Sequence, residues 1–259
     1  MATYLDKILA AHRGATTGDH RPLDELIDAA STVEPGRPFR QALLDVDGLA
    51  VISEVKRRSP SNGAINPDVD PARWAAAYQV GGATCLSVLT DVEFFGGSPD
   101  DLAAARAAVD LPVLRKDFTV SARDVCDARL MGADAVLLIV AALDDVELAD
   151  FHDLAVELGM DVLVEAHDEA EIERALAVGA SMIGVNQRDL VTFEVDQSRA
   201  VRVGAGLPAG VVRVAESGIR GPADAKALRA AGYHAVLVGE SLMVSGDPAA
   251  AVAALRSIT

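Results

Sequence analysis

The feature that most constrains the fold of this chain is an alternation of two kinds of segment, repeated eight times from about residue 48 onward. Short runs rich in β-branched residues alternate with alanine-rich stretches of helical periodicity. Successive runs lie ~20–35 residues apart, which leaves room for one helix between two strands. The runs cover Leu49–Lys56, Thr84–Leu89, Pro112–Lys116, Asp134–Val140, Asp161–Glu165, Ser181–Asn186, Val211–Glu216 and Ala235–Gly239. Eight strands that each lead into a helix predict an α/β fold, the (β/α)8 TIM barrel.

A doubly wound parallel sheet would produce the same alternation. Such sheets usually have about five or six strands and carry a glycine-rich turn directly after the first one. Here the first run ends in Ser53-Glu-Val-Lys56, and the Gly-x-Gly of Val203-Gly-Ala-Gly206 precedes a strand instead of following one. The context therefore excludes a dinucleotide-binding turn, and the barrel is favoured.

Residues 1–47 lie ahead of the barrel strands and are interpreted as a helical extension. Helical periodicity covers Tyr4–His12, and an acidic stretch covers Leu23–Ala30. We therefore expect a single domain over residues 1–259, made of this extension and a barrel over residues 48–259. The extension is expected either to cap the bottom of the barrel or to cover its mouth.

The charge of the chain limits its partners. Its formal net charge is −16 and its pI is about 4.6, so its overall field repels nucleic acids and anionic membranes. The nearest approach to a basic cluster is Lys56-Arg57-Arg58, which a turn-like segment follows at once. We therefore expect neither a nucleic-acid partner nor a membrane partner.

Three further features of the sequence indicate the cellular compartment of the protein. The apolar run Ala135–Leu143 is less than half of the about 20 residues that a transmembrane helix needs. The first residues, Met1–Arg13, mix charged and apolar side chains, unlike a signal peptide. Cys85 and Cys126 form no Cys-x-x-Cys pair and are interpreted as buried, reduced thiols. We expect a cytoplasmic protein that is a monomer or a weak oligomer.

Ionisable residues stand at the carboxyl ends of several predicted strands, where a barrel of this kind builds its site. Side chains alternate between the two faces of a strand, so a polar residue two positions after a buried apolar or small one also points inward. By this rule the inward polar residues are Glu54, Lys56, Lys116, Glu165, Asn186 and Glu216. Burying so many charges costs on the order of several kcal/mol per ion unless they pair. Crowded opposite charges also shift pKa values as acid–base catalysis requires.

The last two strand ends predict an anion site. Glu216-Ser-Gly-Ile219 and Gly239-Glu-Ser-Leu242 place glycine and serine where backbone N–H groups can point at an anion. Barrels often hold a phosphate with the loops after strands seven and eight. Because the chain is acidic, such a site needs local positive potential, for which Lys56 and oriented backbone dipoles are the candidates.

Other candidates surround the predicted mouth. The segment Ser59-Pro-Ser-Asn-Gly63 is longer than a minimal strand–helix loop and is interpreted as a mobile loop over the mouth. Phe95 and Phe118 follow strand ends, where either ring can stack on a flat substrate or pack in the core. His167 and Trp74 are interpreted as structural. No His, Cys or Asp cluster has metal-ligand spacing, so we predict no metal site.

Six segments carry a more specific signal in their order along the chain. They are Ile52-Ser-Glu-Val-Lys-Arg-Arg-Ser-Pro-Ser-Asn-Gly63, Leu86-Ser-Val-Leu-Thr-Asp91 with Phe95-Gly-Gly-Ser98, Leu114-Arg-Lys-Asp-Phe118, Gly184-Val-Asn-Gln-Arg-Asp-Leu190, Ala215-Glu-Ser-Gly-Ile219 and Val238-Gly-Glu-Ser-Leu-Met243. In this order they resemble the motifs of the indole-3-glycerol-phosphate synthases. The similarity covers the whole barrel and extends to the N-terminal helices. Gln187 departs from it, because the family often has a second asparagine at that position.

The resemblance implies both a fold and a reaction. Members of that family are (β/α)8 barrels with additional N-terminal helices, and they close the indole ring in tryptophan biosynthesis. The implied substrate is an anthranilate-derived sugar phosphate, 1-(o-carboxyphenylamino)-1-deoxyribulose 5-phosphate, which loses CO2 and water to give indole-3-glycerol phosphate. The resemblance also implies that the reaction needs no cofactor.

The same resemblance implies a role for each matching residue. Lys116 is the general acid that protonates the ribulose carbonyl oxygen, and Glu165 is the acid–base partner in the later dehydration. Lys56 contacts the substrate carboxylate or phosphate and donates a proton, while Glu54 and Asn186 complete the catalytic set. The implied substrate-binding residues are Arg188, Glu216, Phe95 and Phe118, and the implied phosphate-binding residues are Lys56, Ser59, Ser217, Gly218, Gly239 and Ser241.

Three other barrel functions compete with this one. In an aldolase-type barrel, Lys116 or Lys56 would form a Schiff base with a carbonyl substrate. A barrel that only binds sugar phosphates would tolerate the loss of Lys116 and Glu165. A phosphoribosyl isomerase barrel usually needs a cysteine or aspartate early in strand one, where this chain offers Glu54 and Lys56. The isomerase is therefore disfavoured.

Overall fold

The computed structural model describes residues 3–61, 63–189 and 191–258, so Asn62 and Leu190 of the quoted motifs lie outside the described residues. Eight parallel strands close into a barrel in the order β1-β10-β9-β8-β7-β6-β5-β4, and β2 and β3 form a separate antiparallel hairpin. The strands are β1 (Ala50–Val55), β2 (Arg58–Ser59), β3 (Gly63–Ala64), β4 (Cys85–Leu89), β5 (Val113–Lys116), β6 (Ala135–Ile139), β7 (Asp161–Ala166), β8 (Met182–Asn186), β9 (Val212–Glu216) and β10 (Ala235–Val238).

The predicted (β/α)8 TIM barrel with additional N-terminal helices is confirmed. Each predicted strand is present, and its ends lie within one residue of the predicted ones. Closure is visible in the register, because Ile52 of β1 pairs with Cys85 of β4 on one side and with Leu237 of β10 on the other. A doubly wound sheet would have left two edge strands without such partners.

The helices form the outer layer and the extension. They are α1 (Tyr4–Thr17), α2 (Leu23–Ser31), α3 (Phe39–Leu44), α4 (Pro71–Val80), α5 (Pro99–Ala108), α6 (Ala122–Leu130), α7 (Asp145–Glu157), α8 (Glu169–Ala177), α9 (Arg199–Gly204), α10 (Pro222–Ala230), α11 (Glu240–Met243) and α12 (Pro248–Arg256), with a 3-10 helix at Val140–Ala142. Among the described residues, no helix combines the length and the apolar character that crossing a membrane requires.

Short polar side chains mark where the outer helices begin. The hydroxyls of Ser98 and Ser121 accept hydrogen bonds from backbone N–H groups in the first turns of α5 and α6, and the Asp168 carboxylate does the same for α8. Each bond satisfies an N–H group that lacks an intrahelical acceptor, and such a cap contributes about 1 kcal/mol. The caps fix the point at which each loop above the barrel ends.

The N-terminal helices cover both ends of the barrel. Helix α1 reaches the mouth, where Tyr4, Leu5 and Ile8 line a cavity. Helix α3 lies at the opposite end, with Phe39 fully buried and its neighbour Arg40 donating its backbone N–H to Asp161 at the start of β7. The two placements that the sequence left open are therefore both occupied, by different helices.

The core has two layers. Outward-facing strand residues such as Val51, Leu86 and Val136 are fully buried beneath the helices. Inward-facing residues fill the barrel, and the polar ones lie near its carboxyl end. Cys85 and Cys126 are free thiols and both are buried, as predicted.

Candidate active site

A cavity of about 680 Å³ opens at the carboxyl end of the barrel strands. All the residues that the sequence placed in a site line it: Glu54, Lys56, Ser59, Phe95, Lys116, Phe118, Glu165, Asn186, Arg188, Glu216, Ser217, Gly218, Gly239 and Ser241. The carboxyl ends of parallel strands meet at one end of a closed barrel, so residues distant in sequence become neighbours there.

The floor of the cavity carries two lysine–glutamate clusters. The Lys56 Nζ donates to Glu54 Oε1 over 2.7 Å. The Lys116 Nζ lies 3.8 Å from Glu165 Oε2 and 4.0 Å from Glu216 Oε2. The three carboxylates are almost completely buried, whereas 18% of the Lys116 side chain and 16% of the Lys56 side chain are exposed to the cavity. The exposed groups on this floor are therefore the two cations.

The two carboxyl groups beside Lys116 have opposite pKa shifts. Burial, reinforced by the negative charge of Glu165, raises the pKa of Glu216 well above its ordinary value. Burial also opposes the ionisation of Glu165, but the charges of Lys116 and His167 and a hydrogen bond from Asn186 hold the pKa of Glu165 below its ordinary value. Glu165 therefore holds the negative charge of the pair more strongly than Glu216 does.

The other charged groups of the floor fit the same balance. Burial opposes the ionisation of Glu54, yet Lys56 and Lys116 hold its pKa below the ordinary value. Burial also works against the charge of Lys116, but Glu165, Glu216 and Glu54 raise its pKa above the ordinary lysine value. The floor thus pairs two lysine side chains with buried carboxyl groups, an arrangement that compensates the cost of burying each charge.

Two small features orient the carboxyl groups. A β-carbon at Gly184 would overlap Glu216 Oε1, so glycine in β8 leaves the space that this carboxyl group occupies. Asn186 donates from Nδ2 to Glu165 Oε1 over 2.9 Å, and its own Oδ1 accepts from the backbone N–H of Arg188 over 3.0 Å. The second bond fixes the amide, so that its donor faces the carboxylate.

The loop after β9 has a constrained backbone. Ser217 has a φ of 64° and Gly218 a φ of 71°, so a non-glycine residue is held in the left-handed region. Gln187 donates to the Ser217 carbonyl over 2.7 Å, and Gln197 donates to the Gly218 carbonyl over 2.8 Å. Such strain persists where surrounding contacts enforce it, and it concentrates at functional sites.

The loop after β10 is tied to the same region. The Ser241 hydroxyl donates to the Ile219 carbonyl over 2.9 Å, so this side chain joins the two loops. A β-carbon added at Gly239 would lie 3.2 Å from Lys56 Nζ and would overlap the Glu54 carboxylate. The loop glycine therefore lies directly beside a lysine–glutamate pair.

Aromatic rings form another wall of the cavity. The ring centroids of Phe95 and Phe118 lie 6.2 Å apart. Tyr4 of α1 packs edge-on against Phe193, with ring centroids 5.3 Å apart. The cavity thus has a charged floor, an aromatic wall and a side formed by glycine- and serine-containing loops.

A family model described as indole-3-glycerol phosphate synthase matches residues 5–255. The chain belongs to this family. Curated relatives named indole-3-glycerol phosphate synthase include the protein of Mycobacteroides abscessus, 50% identical over 98% of this chain and 93% of the relative. Those of Mycolicibacterium smegmatis and Mycobacterium tuberculosis are 51% and 50% identical, each over 98% of this chain and 94% of the relative. The resemblance stated from six motifs is confirmed.

Solved structures outside the synthase family share the barrel at low sequence identity. The thiamine phosphate pyrophosphorylase of Pyrococcus furiosus has a TM-score of 0.61 at 17% identity, over 80% of this chain and 94% of that one. The N-acetylmannosamine-6-phosphate 2-epimerase of Clostridium perfringens has a TM-score of 0.60 at 14% identity, over 77% of this chain and 89% of that one. These similarities concern the fold alone.

Several residues around this synthase-family site were not predicted from the sequence. His167 was interpreted as structural, but its Nε2 lies 3.6 Å from Glu165 Oε1. Tyr4 and Ile8 reach the cavity from α1, far away in sequence, and Gln197 supports the loop after β9 from outside the quoted motifs. The position of His167 one residue beyond β7 was the available signal for it.

A tether joins α1 to the loops after β4 and β5. His12 Nε2 lies 2.9 Å from Asp91 Oδ2 and 3.9 Å from Asp117 Oδ1. These three residues offer potential metal ligands within 4.8 Å of one another, a grouping that sequence spacing does not indicate. Asp91 also accepts two backbone N–H groups, and Asp117 accepts from Thr90, Arg115 and its neighbour's backbone. The carboxylates are therefore committed to loop structure, and the absence of a metal stays a prediction.

The tether predicts a pH-dependent attachment of α1. Burial opposes the protonation of His12, but the hydrogen bond to Asp91 and the charges of Asp117 and Asp91 raise its pKa. The stabilisation that protonated His12 gives to the attachment of α1 is therefore complete below about pH 6.5, the ordinary pKa of histidine. It is lost as the pH rises through the raised pKa of His12. Hydrogen exchange in Tyr4–Thr17 should be faster in His12→Asn than in the wild type at pH 6, and the difference should shrink by pH 9. The exposed His20→Asn is the control, and a pH-independent difference would contradict this account.

Proposed function

We propose that this member of the synthase family converts 1-(o-carboxyphenylamino)-1-deoxyribulose 5-phosphate into indole-3-glycerol phosphate, CO2 and water, a step of tryptophan biosynthesis. The observation that carries the proposal is the pairing of two ammonium groups with ionised carboxylates on the floor of one cavity. The volume of about 680 Å³ also suits a substrate of this size, because small-molecule sites span about 300–1,000 Å³.

The aromatic wall and the glycine-containing loops suit opposite ends of that substrate. Phe95 and Phe118 would contact the anthranilate ring, as the resemblance implies. The backbone groups of Ser217, Gly218, Gly239 and Ser241 would bind the phosphate, with Ser59 and Lys56 closing this side. Arg188 and Glu216 would support the substrate between the two ends.

Lys116 would act in the ring closure. The ring carbon that bears the carboxylate attacks the ribulose carbonyl carbon, and the carbonyl oxygen gains negative charge. The Lys116 ammonium would give that oxygen a proton, and the carboxylate would then leave as CO2 to restore the aromatic ring. An ammonium beside a developing alkoxide stabilises the transition state directly, and the raised pKa of Lys116 keeps the proton available at neutral pH.

Glu165 would act in the dehydration. The new hydroxyl group leaves as water after gaining a proton, and the adjoining carbon loses a proton to a base. Glu165 is ionised and hydrogen-bonded by Asn186, as a base needs to be. Lys56 would supply the proton or hold the substrate carboxylate, with Glu54 orienting its ammonium over 2.7 Å.

The charge state of Lys116 argues against the Schiff-base alternative. An amine must be unprotonated to attack a carbonyl, whereas the surrounding carboxylates raise the pKa of Lys116 above its ordinary value. A barrel that only binds would have no use for buried lysine–glutamate pairs, which cost free energy to maintain. Borohydride trapping of the substrate on a lysine would support the Schiff-base route, and the absence of a trapped adduct would support acid catalysis.

Indole fluorescence tests the proposed activity. The purified protein is mixed with the carboxyphenylamino-deoxyribulose phosphate in the presence of a chelator, and fluorescence growth is followed alongside CO2 release. We expect both signals to grow in equal amounts. Substrate binding without either product would contradict the activity and would favour a binding protein.

Gly218→Ala is predicted to weaken phosphate binding. A β-carbon there would overlap Val195 Cγ1, and the residue has a φ of 71°. The loop must therefore shift, and we expect KM to rise about tenfold, corresponding to about 1.4 kcal/mol. Gly210→Ala is the matched control, since its φ is 94° but nothing lies within 4 Å of the added carbon. Equal KM values in the two variants would contradict the assignment.

We also propose the compartment, the partners and the domain organisation of the protein. The acidic charge supports a site for a small molecule without a nucleic-acid or membrane partner, and the two buried free thiols suit the cytoplasm. The contacts of α1 and α3 with the barrel support one domain over residues 1–259. A monomer or a weak oligomer and a reaction without a cofactor stay predictions.

A further inference from the structure

A chain of three titratable side chains leads away from the cavity floor. His167 Nε2 lies 3.6 Å from Glu165 Oε1, and His167 Nδ1 lies 3.0 Å from Glu171 Oε2. The same Glu171 oxygen accepts the backbone N–H of His167 over 2.7 Å. The imidazole thus stands between two carboxylates, one from the end of β7 and one from the first turn of α8.

The hydrogen bonds fix which ring nitrogen can exchange a proton with Glu165. Glu171 Oε2 already accepts the backbone N–H of His167, so it acts as an acceptor for the ring as well and the proton in that bond belongs to His167 Nδ1. Nε2 is buried, has no hydrogen-bond partner among the described residues and faces the Glu165 carboxylate. It therefore offers a lone pair or a proton to Glu165, according to the charge of the ring.

Charged groups from each neighbouring element act on this ring. Burial opposes protonation of His167, but the hydrogen bond to Glu171 and the charges of Glu165 and Glu171 outweigh burial and the charge of Arg199 in α9, so the pKa of the ring is raised. Arg199 is itself partly compensated by Asp189, whose Oδ2 lies 3.7 Å from its Nη2. The two flanking carboxylates therefore allow the buried ring to take up a proton as well as release one.

The row of side chains formed by Glu165, His167 and Glu171 reaches the surface without crossing the cavity. Neither His167 nor Glu171 belongs to the described residues that line the cavity. The His167 side chain is 12% exposed and the Glu171 side chain 19% exposed. A substrate that fills the cavity would therefore cover Lys116 and leave the outer end of this chain in contact with water.

The proposed reaction needs such a route because it consumes a proton. Two protons enter, one on the ribulose carbonyl oxygen and one on the departing hydroxyl group, and one proton leaves the adjoining carbon. The substrate carboxylate departs as neutral CO2, so each turnover takes up one proton from water. If Glu165 receives the carbon-bound proton and returns it to Lys116 or to the leaving hydroxyl, one further proton is still required.

We propose that His167, oriented by Glu171, is a positioning residue that holds the Glu165 carboxylate and delivers the proton consumed in each turnover from water to the site. In this relay the protonated ring passes its Nε2 proton to Glu165 and keeps the Nδ1 proton that Glu171 accepts, and the neutral ring then takes up one proton from water at Nε2 before the next turnover. The inference rests on the proposed function and adds the residues that resupply its acid.

The pH profile of kcat tests the relay. In His167→Asn we expect kcat to fall about tenfold with KM within twofold, because substrate contacts are unchanged. The acidic limb should move to higher pH, since Glu165 loses a neighbouring positive charge. Added imidazole should restore part of kcat in this variant. Glu171→Gln should reproduce the fall, and His167→Asn/Glu171→Gln should be no slower than the single variants.

A control and an activity-independent measurement make the outcome decisive. His152→Asn replaces another buried histidine, on α7, and should leave the pH profile unchanged. By NMR, the pH midpoint of the His167 ring should fall in Glu165→Gln. Turnover by the wild type with an unchanged pH profile in His167→Asn would overturn the relay and leave the proposed function standing. A ring midpoint unaffected by Glu165→Gln would overturn it even if the protein turned over nothing.

Discussion

Lys116→Ala should lower kcat by about 10³-fold, because general acid catalysis and stabilisation of a developing oxyanion are lost together. Lys116 is the ammonium group whose Nζ lies closest to both Glu165 and Glu216, at 3.8 Å and 4.0 Å. We expect KM to change by less than about fivefold, since the aromatic wall and the phosphate loops supply most of the binding. The measurement is steady-state fluorescence of the product.

The matched control for this prediction is Lys226→Ala, which removes an exposed lysine from α10. It should leave kcat within experimental error of the wild type. Circular dichroism and thermal unfolding should show that Lys116→Ala keeps the fold. A folded Lys116→Ala that retains near-normal kcat would remove Lys116 from the chemistry and transfer the role of acid to Lys56.

The barrel could be predicted from sequence because its physical signals are local. Each buried parallel strand appears as a short apolar run, and each run is separated from the next by one helix. The shortest elements were harder to predict. Helix α3 has six residues, and the two-residue strands of the β2–β3 hairpin are shorter still, so neither leaves a periodicity to detect.

The floor of the site could be predicted for a related reason. Alternation places Glu54, Lys116, Glu165 and Glu216 on the inner face, and closure of the barrel brings the inner faces together. Contacts that depend on how helices and loops pack could not be predicted. The tether from His12 to Asp91 joins residues 79 positions apart, and no local pattern links them.

The charge states of the carboxyl groups were also beyond the sequence. Glu165 and Glu216 both lie on the inner face near the carboxyl ends of their strands, and the sequence gives no reason to assign them different charge states. Their environments separate them: Asn186 and His167 act on Glu165, whereas Glu216 lies in the space left by Gly184. Two carboxyl groups with pKa values driven apart are typical of a base beside a neutral hydrogen-bonding acid.

The opposite pKa shifts of Glu165 and Glu216 predict that a glutamine substitution lowers kcat by different amounts at the two positions. Glu165→Gln removes a charge and the base of the dehydration, so we expect kcat to fall about 10²–10³-fold. Glu216→Gln replaces the carboxyl group whose pKa is raised, and which ionises less readily, by a neutral amide of the same shape, so kcat should stay within about tenfold of the wild type. Both variants should bind substrate, which quenching of protein fluorescence can check.

Glu216→Gln serves as the internal control for Glu165→Gln, because both positions are buried and both lie about 4 Å from the same ammonium group. The pH profiles sharpen the comparison. The acidic limb of kcat reports the ionisation of Glu165, whose pKa is lowered, so it should persist in Glu216→Gln and disappear in the residual activity of Glu165→Gln. A larger loss in Glu216→Gln than in Glu165→Gln would mean that the negative charge of the pair lies on Glu216, and the role of base would pass to that residue.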